Sequence, residues 1–242
     1  MISNSGHDER GKYSGGVAGD QTGGEWAIIP WYNRPWNCVI RFESSSIRER
    51  IASNAEKAAN NNKIGYDQGQ RWTYWNELKK ANYDPAAINT PCESDCSAGV
   101  LANVKAAGYQ LGNAALQNID QNGYTGNMKA ILKAAGAIVL TGSKYLTSDK
   151  YLLRGDILLN EGHHTATNLT NGSLSGAPVN SSSTSTSKPS SASSKSIMFF
   201  KGRNGSTATM VLLLLSIMEQ SLRSMASMGQ SQELLHCVYG KI

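Results

Sequence analysis

The residues best suited to chemistry lie in Pro91–Val100, PCESDCSAGV, and Cys96 stands first among them. Ser94 and Asp95 are both good helix N-caps, because their side-chain oxygens accept from the unpaired N–H groups of a first turn. Cys96 then falls at the positive end of a helix that continues through small and apolar residues, Ala98 to Val104. That position favours thiolate over thiol and prepares a sulfur nucleophile. Taken alone, the same residue also fits a small buried hydrophobe at a helix start. A thiolate needs a base to take its proton and later return it to a leaving amine, and near neutral pH that base is histidine. The chain has four: His7 in a Gly-rich, loose N-terminus, His236 in an unusual tail, and the adjacent pair His163 and His164. The pair is left as the source of the base.

The elements that must position these groups are legible in outline. Residues 1–24 are Gly-rich and polar and read as loop. Trp26, Trp31, Tyr32 and Trp36 then crowd together, either to floor a core or to stack on a sugar or peptide, and Cys38–Phe42 reads as a short strand. Residues 44–62 read as a helix with Ile47, Ile51, Ala55, Ala58 and Ala59 on one stripe. Residues 64–70, IGYDQGQ, form a Gly-punctuated turn, and Trp72–Ala81 a short amphipathic segment. The cysteine helix is predicted from Asp95 to about Ala107, with Gly108 as its stop. A further helix, Asn127–Ala135, ends at Gly136 and leads to a strand at Ala137–Leu140. Gly155–Asp156 is a turn before the strand Ile157–Leu159, and His164–Leu169 alternates as a half-buried strand does.

Composition divides the chain. Residues 1–172 hold 17 Lys/Arg against 16 Asp/Glu, so nucleic acid is not the expected partner; residues 173–242 hold six against two. Residues 181–196 contain 12 Ser or Thr, which suits a flexible linker over 179–196. Residues 197–242 include MVLLLLSIM, an apolar run far short of a membrane span. They lack the Gly, aromatic and turn residues of a binding module, and read as a module remnant or as a tail out of its natural frame. The N-terminus has no apolar signal-peptide core, so a secretory signal is not expected. Cys38, Cys92, Cys96 and Cys237 are too few and scattered for a disulfide framework. No metal and no cofactor is expected, although Cys92, Cys96 and His163 or His164 form a conceivable zinc set without the paired, short-spaced ligand arms of structural sites.

A cysteine opening a helix, with a histidine on a strand about 70 residues later, is a papain-like layout. In detail the chain resembles the NlpC-type cell-wall cysteine peptidases. DCSAGV at 95–100 is similar to that family's Asp-Cys-Ser-Gly-Phe-Val motif, RGDILL at 154–159 to its Pro-Gly-Asp-Leu-Val-Phe turn and strand, and HTATNLTNG at 164–172 to its histidine strand. The related CHAP amidases and endopeptidases share the arrangement, and the chain also resembles phage endolysins in its domain order.

This resemblance implies an α+β, papain-like fold, with helices N-terminal to a small antiparallel sheet. It implies a catalytic domain over 1–178 followed by the linker and the segment 197–242. Cys96 would be the nucleophile and His164 the general base, with Asp95, Ser97, Gly155 and Asp156 as supporting motif residues. IGYDQGQ would supply Tyr66 as helper to an oxyanion hole built on the Cys96 N–H. The family's third polar residue has no clear counterpart; Asn168 is the expected orienter, four residues on and on the same side of the strand as His164. His163, on the opposite side, is expected to be structural. The implied activity is hydrolysis of an amide in the stem peptide of bacterial peptidoglycan, by an endopeptidase or an N-acetylmuramoyl-L-alanine amidase, after holin-type release from the cytoplasm. The alternative is a non-catalytic wall-binding or virion-associated protein that kept the fold.

Overall fold

The computed structural model describes residues 1–175. The linker and C-terminal segment expected at 179–196 and 197–242 lie outside the described residues. Within 1–175 the elements run β1 (Ile2–Ser5), β2 (Trp26–Ile29), β3 (Cys38–Arg41), α1 (Ser45–Ala59), β4 (Ile64–Tyr66), α2 (Thr73–Lys80), β5 (Cys92–Ser94) and α3 (Cys96–Leu111). They continue with α4 (Ala114–Gln117), α5 (Met128–Ala134), β6 (Ile138–Leu140), α6 (Ser143–Leu146), β7 (Ile157–Asn160) and β8 (His164–Asn168).

The class is α+β. Six strands form one sheet in the order β2-β1-β8-β7-β3-β6, and every neighbouring pair is antiparallel. The expectation of helices placed before the sheet needs correction, because β1, β2 and β3 all precede α1 in the chain. The expected loop over 1–24 is corrected too. Ile2–Ser5 lies between β2 and β8, with Ser3 paired to Ile28 on one side and Thr167 on the other. Only one apolar side chain marks this strand, and Ile2 is fully buried.

Strand alternation gives the sheet two faces. Cys38, Ile40, Ile157 and Leu159 pack with Val100, Leu101 and Val104 of α3. Val39, Leu158, Ala166 and Ile2 pack on the other face around Trp36 and Leu152. Each buried Ile or Leu of this kind contributes about 1.5–3 kcal/mol of transfer free energy, so the sheet is fixed from both sides. A one-residue slip in β8 would exchange its faces.

Two smaller features set the position of α3. The parallel pair β4–β5 delivers Ser94 and Asp95 to the helix start, with Tyr66 opposite Ser94. Gly99, one turn in, lets the indole of Trp26 approach the helix; a Cβ there would lie 2.6 Å from the Trp26 ring. The helix does not stop at Gly108. It runs on to Leu111 and ends at Gly112, whose φ of 64° is the left-handed conformation that glycine adopts without penalty. Gly108 serves instead as a contact point, since a Cβ on it would lie 2.7 Å from the Leu116 Cβ.

Candidate active site

Asp95 caps α3 by accepting from the Ala98 N–H at 2.7 Å and from the Ser97 hydroxyl at 2.9 Å. A cap of this type is worth about 1 kcal/mol to a helix. Arg71 locks it from outside, with Nε 2.9 Å from Asp95 Oδ2 and one Nη donating to Ser97 Oγ at 3.0 Å and to the Gly123 carbonyl at 2.6 Å. The arginine therefore neutralises the carboxylate that stands beside the sulfur.

Cys96 is 8% exposed. Burial, and next the Asp95 charge, push its thiol up to about 12, while the backbone N–H groups of Thr165 and Ser97 and the Arg71 guanidinium pull the other way. α3 packs on β8, and Thr165 at the start of that strand is the source of one of these N–H groups. His164 is itself buried, and its Nε2 lies 2.7 Å from Asn4 Oδ1. The same Oδ1 accepts from Tyr32 Oη at 3.4 Å, which fits an oxygen at that position. With Asn4 accepting, the ring carries its proton on Nε2 and leaves the Nδ1 lone pair as the basic site. Trp36 stacks on the ring with centroids 6.2 Å apart and closes it from water. Burial first, then the charges of Arg34 and His7, lower the imidazole to about 4. Among the described residues no hydrogen bond joins the Cys96 sulfur to an imidazole nitrogen; the two residues are linked through the packing of α3 on β8.

Several expected residues take other places. Asn168 does not orient His164. Its amide donates to the carbonyls of Leu153 at 2.8 Å and Thr170 at 2.6 Å, closing the end of β8 onto the turn before β7. Gly155 and Asp156 build that same turn. Gly155 has a φ of 89° and passes against the Arg48 backbone, and fully buried Asp156 accepts from Arg41 Nε and from the Leu153 N–H, each at 2.7 Å. His163 is exposed in the β7–β8 turn rather than held in a structural network. Cys92 packs among Trp26, Ile64, Tyr74 and Ala102, and no group of three or more His, Cys, Asp or Glu among the described residues is placed to hold a metal ion.

Tyr66 does reach the site. Its hydroxyl is raised above the ordinary phenol value by burial, and next by the neighbouring Cys96 and Asp95, against a hydrogen bond from Gln68 Nε2 at 3.2 Å. Since the oxygen accepts that bond, its own proton remains available to donate. His7, set aside on sequence grounds, stands just past β1 with its ring 5.0 Å from Tyr13 and 6.4 Å from Tyr66.

The family's model, described as an endolysin-like domain, matches residues 2–175. The chain belongs to the endolysin-like domain family. The match covers the described domain almost end to end, including the strand β1 that carries Asn4. Membership in the endolysin-like family suggests a phage-type, peptidoglycan-directed role in cell-wall degradation. No curated protein and no solved structure matches the chain. No helix among the described residues is long and apolar enough to cross a membrane.

Proposed function

We propose that this endolysin-like domain is a cysteine peptidoglycan hydrolase of papain-like type, with Cys96 as nucleophile, His164 as general base and Asn4 as the residue that orients it. The observation that carries the reading is the 2.7 Å contact between His164 Nε2 and Asn4 Oδ1, one residue before Thr165, whose backbone N–H favours the Cys96 thiolate. At rest the pair is thiol and neutral imidazole, because burial disfavours either charge alone. As an amide carbonyl docks, His164 Nδ1 takes the thiol proton and Sγ attacks the carbonyl carbon. The oxyanion meets the Cys96 N–H, one of the first-turn donors that a helix leaves unpaired, and the Tyr66 hydroxyl. The C–N bond then breaks, His164 returns its proton to the departing amine, and the acyl group remains on sulfur. Water, deprotonated by the same ring, hydrolyses the thioester and regenerates the thiol.

The substrate is an amide of the wall's stem peptide, either within the peptide or at its muramoyl attachment. The catalytic unit spans 1–178, joined through the linker 179–196 to the segment 197–242, with release to the wall by a holin-type route. The 8% exposure of Cys96 favours one other reading, a wall-binding protein that retains the fold without turnover. Incubation of purified walls with the wild type and with Cys96→Ala separates the two. Clearing and new amino termini with the wild type alone support the hydrolase; sedimentation with walls and no released product from either protein supports the binding protein.

A further inference from the structure

The least expected chemistry in the domain lies behind the site, at Gly65. Glu25 and Glu93 are each 2% exposed, and each keeps one carboxylate oxygen without a partner: Oε1 of Glu25 and Oε2 of Glu93. The other oxygens are engaged. Glu25 Oε2 accepts from the Tyr66 N–H at 2.8 Å, and Glu93 Oε1 from the Gly19 N–H at 2.7 Å. Oε2 of Glu25 and Oε2 of Glu93 both lie 2.8 Å from the point where a Cβ on residue 65 would stand. Glycine is thus required there for space, and its absent side chain lets the two carboxyls converge.

Among the described residues no cation offsets them. Glu9, Asp20 and Asp67 face the pair from the N-terminal loop and from the end of β4, and each adds negative charge. Five backbone N–H groups from residues 22–26 solvate Asp20, and Asp67 accepts from Gly15 and Gly69. Among neighbouring cations, Arg10 is bound to Asp8, Arg71 beside α3 to Asp95, and Lys80 of α2 to Glu77, while Lys63 at the foot of β4 is exposed. Two buried carboxylates in such a place cannot both stay ionised without severe cost.

We propose that Glu25 and Glu93 share one proton and act as a pH-sensitive latch on the β4–β5 pair, which carries Tyr66 to the site. With the proton on Glu93 Oε2, that carboxyl donates across Gly65 to Glu25 Oε2, the oxygen that also holds the Tyr66 N–H. When it leaves, two carboxylates face each other across Gly65, and the pair β4–β5 is forced apart where Tyr66 and Ser94 meet. Burial, more than the surrounding acids, pushes both groups up to about 7. The sign follows from proton binding: the pair holds its shared proton to a higher pH in the folded state than the same carboxyls do in the unfolded one. The contribution is therefore present below the unfolded carboxyl value near 4.5 and is lost as pH rises through about 7. The latch acts on the position of Tyr66 whatever bond the site cleaves.

Thermal melts of the full chain at about pH 5.5, 7 and 8.5, for wild type and Glu93→Gln, test the latch. The glutamine amide supplies permanently the donor that the shared proton supplies in the wild type. The wild-type melting temperature should fall by roughly 5 °C more than that of the variant across the range. Infrared spectroscopy of the wild type gives an independent readout that needs no variant: a protonated-carboxyl stretch present at about pH 6 and gone at about pH 8.5. Parallel falls in both proteins, or no such band at about pH 6, would overturn the latch. Calcium that restores the wild-type melting temperature at about pH 8.5, with no effect on Glu93→Gln, would also overturn it and make the pair a cation site.

Discussion

Cys92 and Cys96 are four residues apart and buried, and burial pushes both thiols up to about 12, yet they sit in regions built for different purposes. Cys92 belongs to β5, in an apolar cluster with Trp26, Ile64 and Tyr74, and its charged neighbours Glu93 and Glu77 only raise it further. Cys96 belongs to the first turn of α3, where two backbone N–H groups, one of them from Thr165 of β8, and Arg71 favour its anion. Burial therefore does not separate a thiol packed in the core from the proposed nucleophile. What separates them is the presence of groups that become favourable only when sulfur takes on charge.

Exchanging residues across that contrast should give effects of very unequal size. Cys96→Ala should lower wall clearing by about 10³-fold or more while Cys92→Ala leaves it within about twofold and costs about 1 kcal/mol of stability. Turbidity assays and urea melts on the two variants measure both. His164→Ala should lose about 10²–10⁴-fold in kcat, the range of a positioned general base. Asn4→Ala should lose less, roughly 10²-fold, because the ring keeps its place in the sheet but not its fixed tautomer. As the proposed base, His164 should also set the acid limb of the pH profile. The free base is required, so kcat/KM should hold down to about 4, where an unperturbed imidazole would already fail near 6.5. Proton binding makes the same group destabilising in acid: the unfolded chain takes up its proton near 6.5 and the folded one only near 4, so stability drops as pH falls through that interval. The smallest effect concerns labelling. Iodoacetamide should alkylate Cys96 roughly tenfold faster than Cys92 in the folded protein, and Arg71→Ala should narrow that gap by leaving Asp95 uncompensated.

How much of this was legible in the sequence follows from how local each signal is. The cap at Asp95, the stripe of α1 and the span of β8 are written within a few residues of themselves, and each stands close to where the pattern puts it, although β8 is buried along its whole length and not half-buried as its alternation suggested. Gly108 carried the right signal for a helix end, but packing against Leu116 uses that glycine for closeness and the helix continues to Gly112. Asn4 was out of reach. It is 160 residues from His164, in a strand with a single apolar marker, and only the docking of β1 against β8 makes them neighbours. Asn168 was the natural choice along one strand because alternation does put it on the side of His164, yet its amide is consumed by the Leu153 and Thr170 carbonyls. Glu25 and Glu93 left no pattern at all, since their meeting depends on the missing side chain of Gly65.

The most direct test of the central claim is mass spectrometry of muropeptides released from purified walls by wild type and by Cys96→Ala, each first shown to melt cooperatively. Peptide fragments with newly freed amino termini from the wild type, and none from the variant, are the expected result. The same fragments from both proteins would contradict a Cys96 nucleophile.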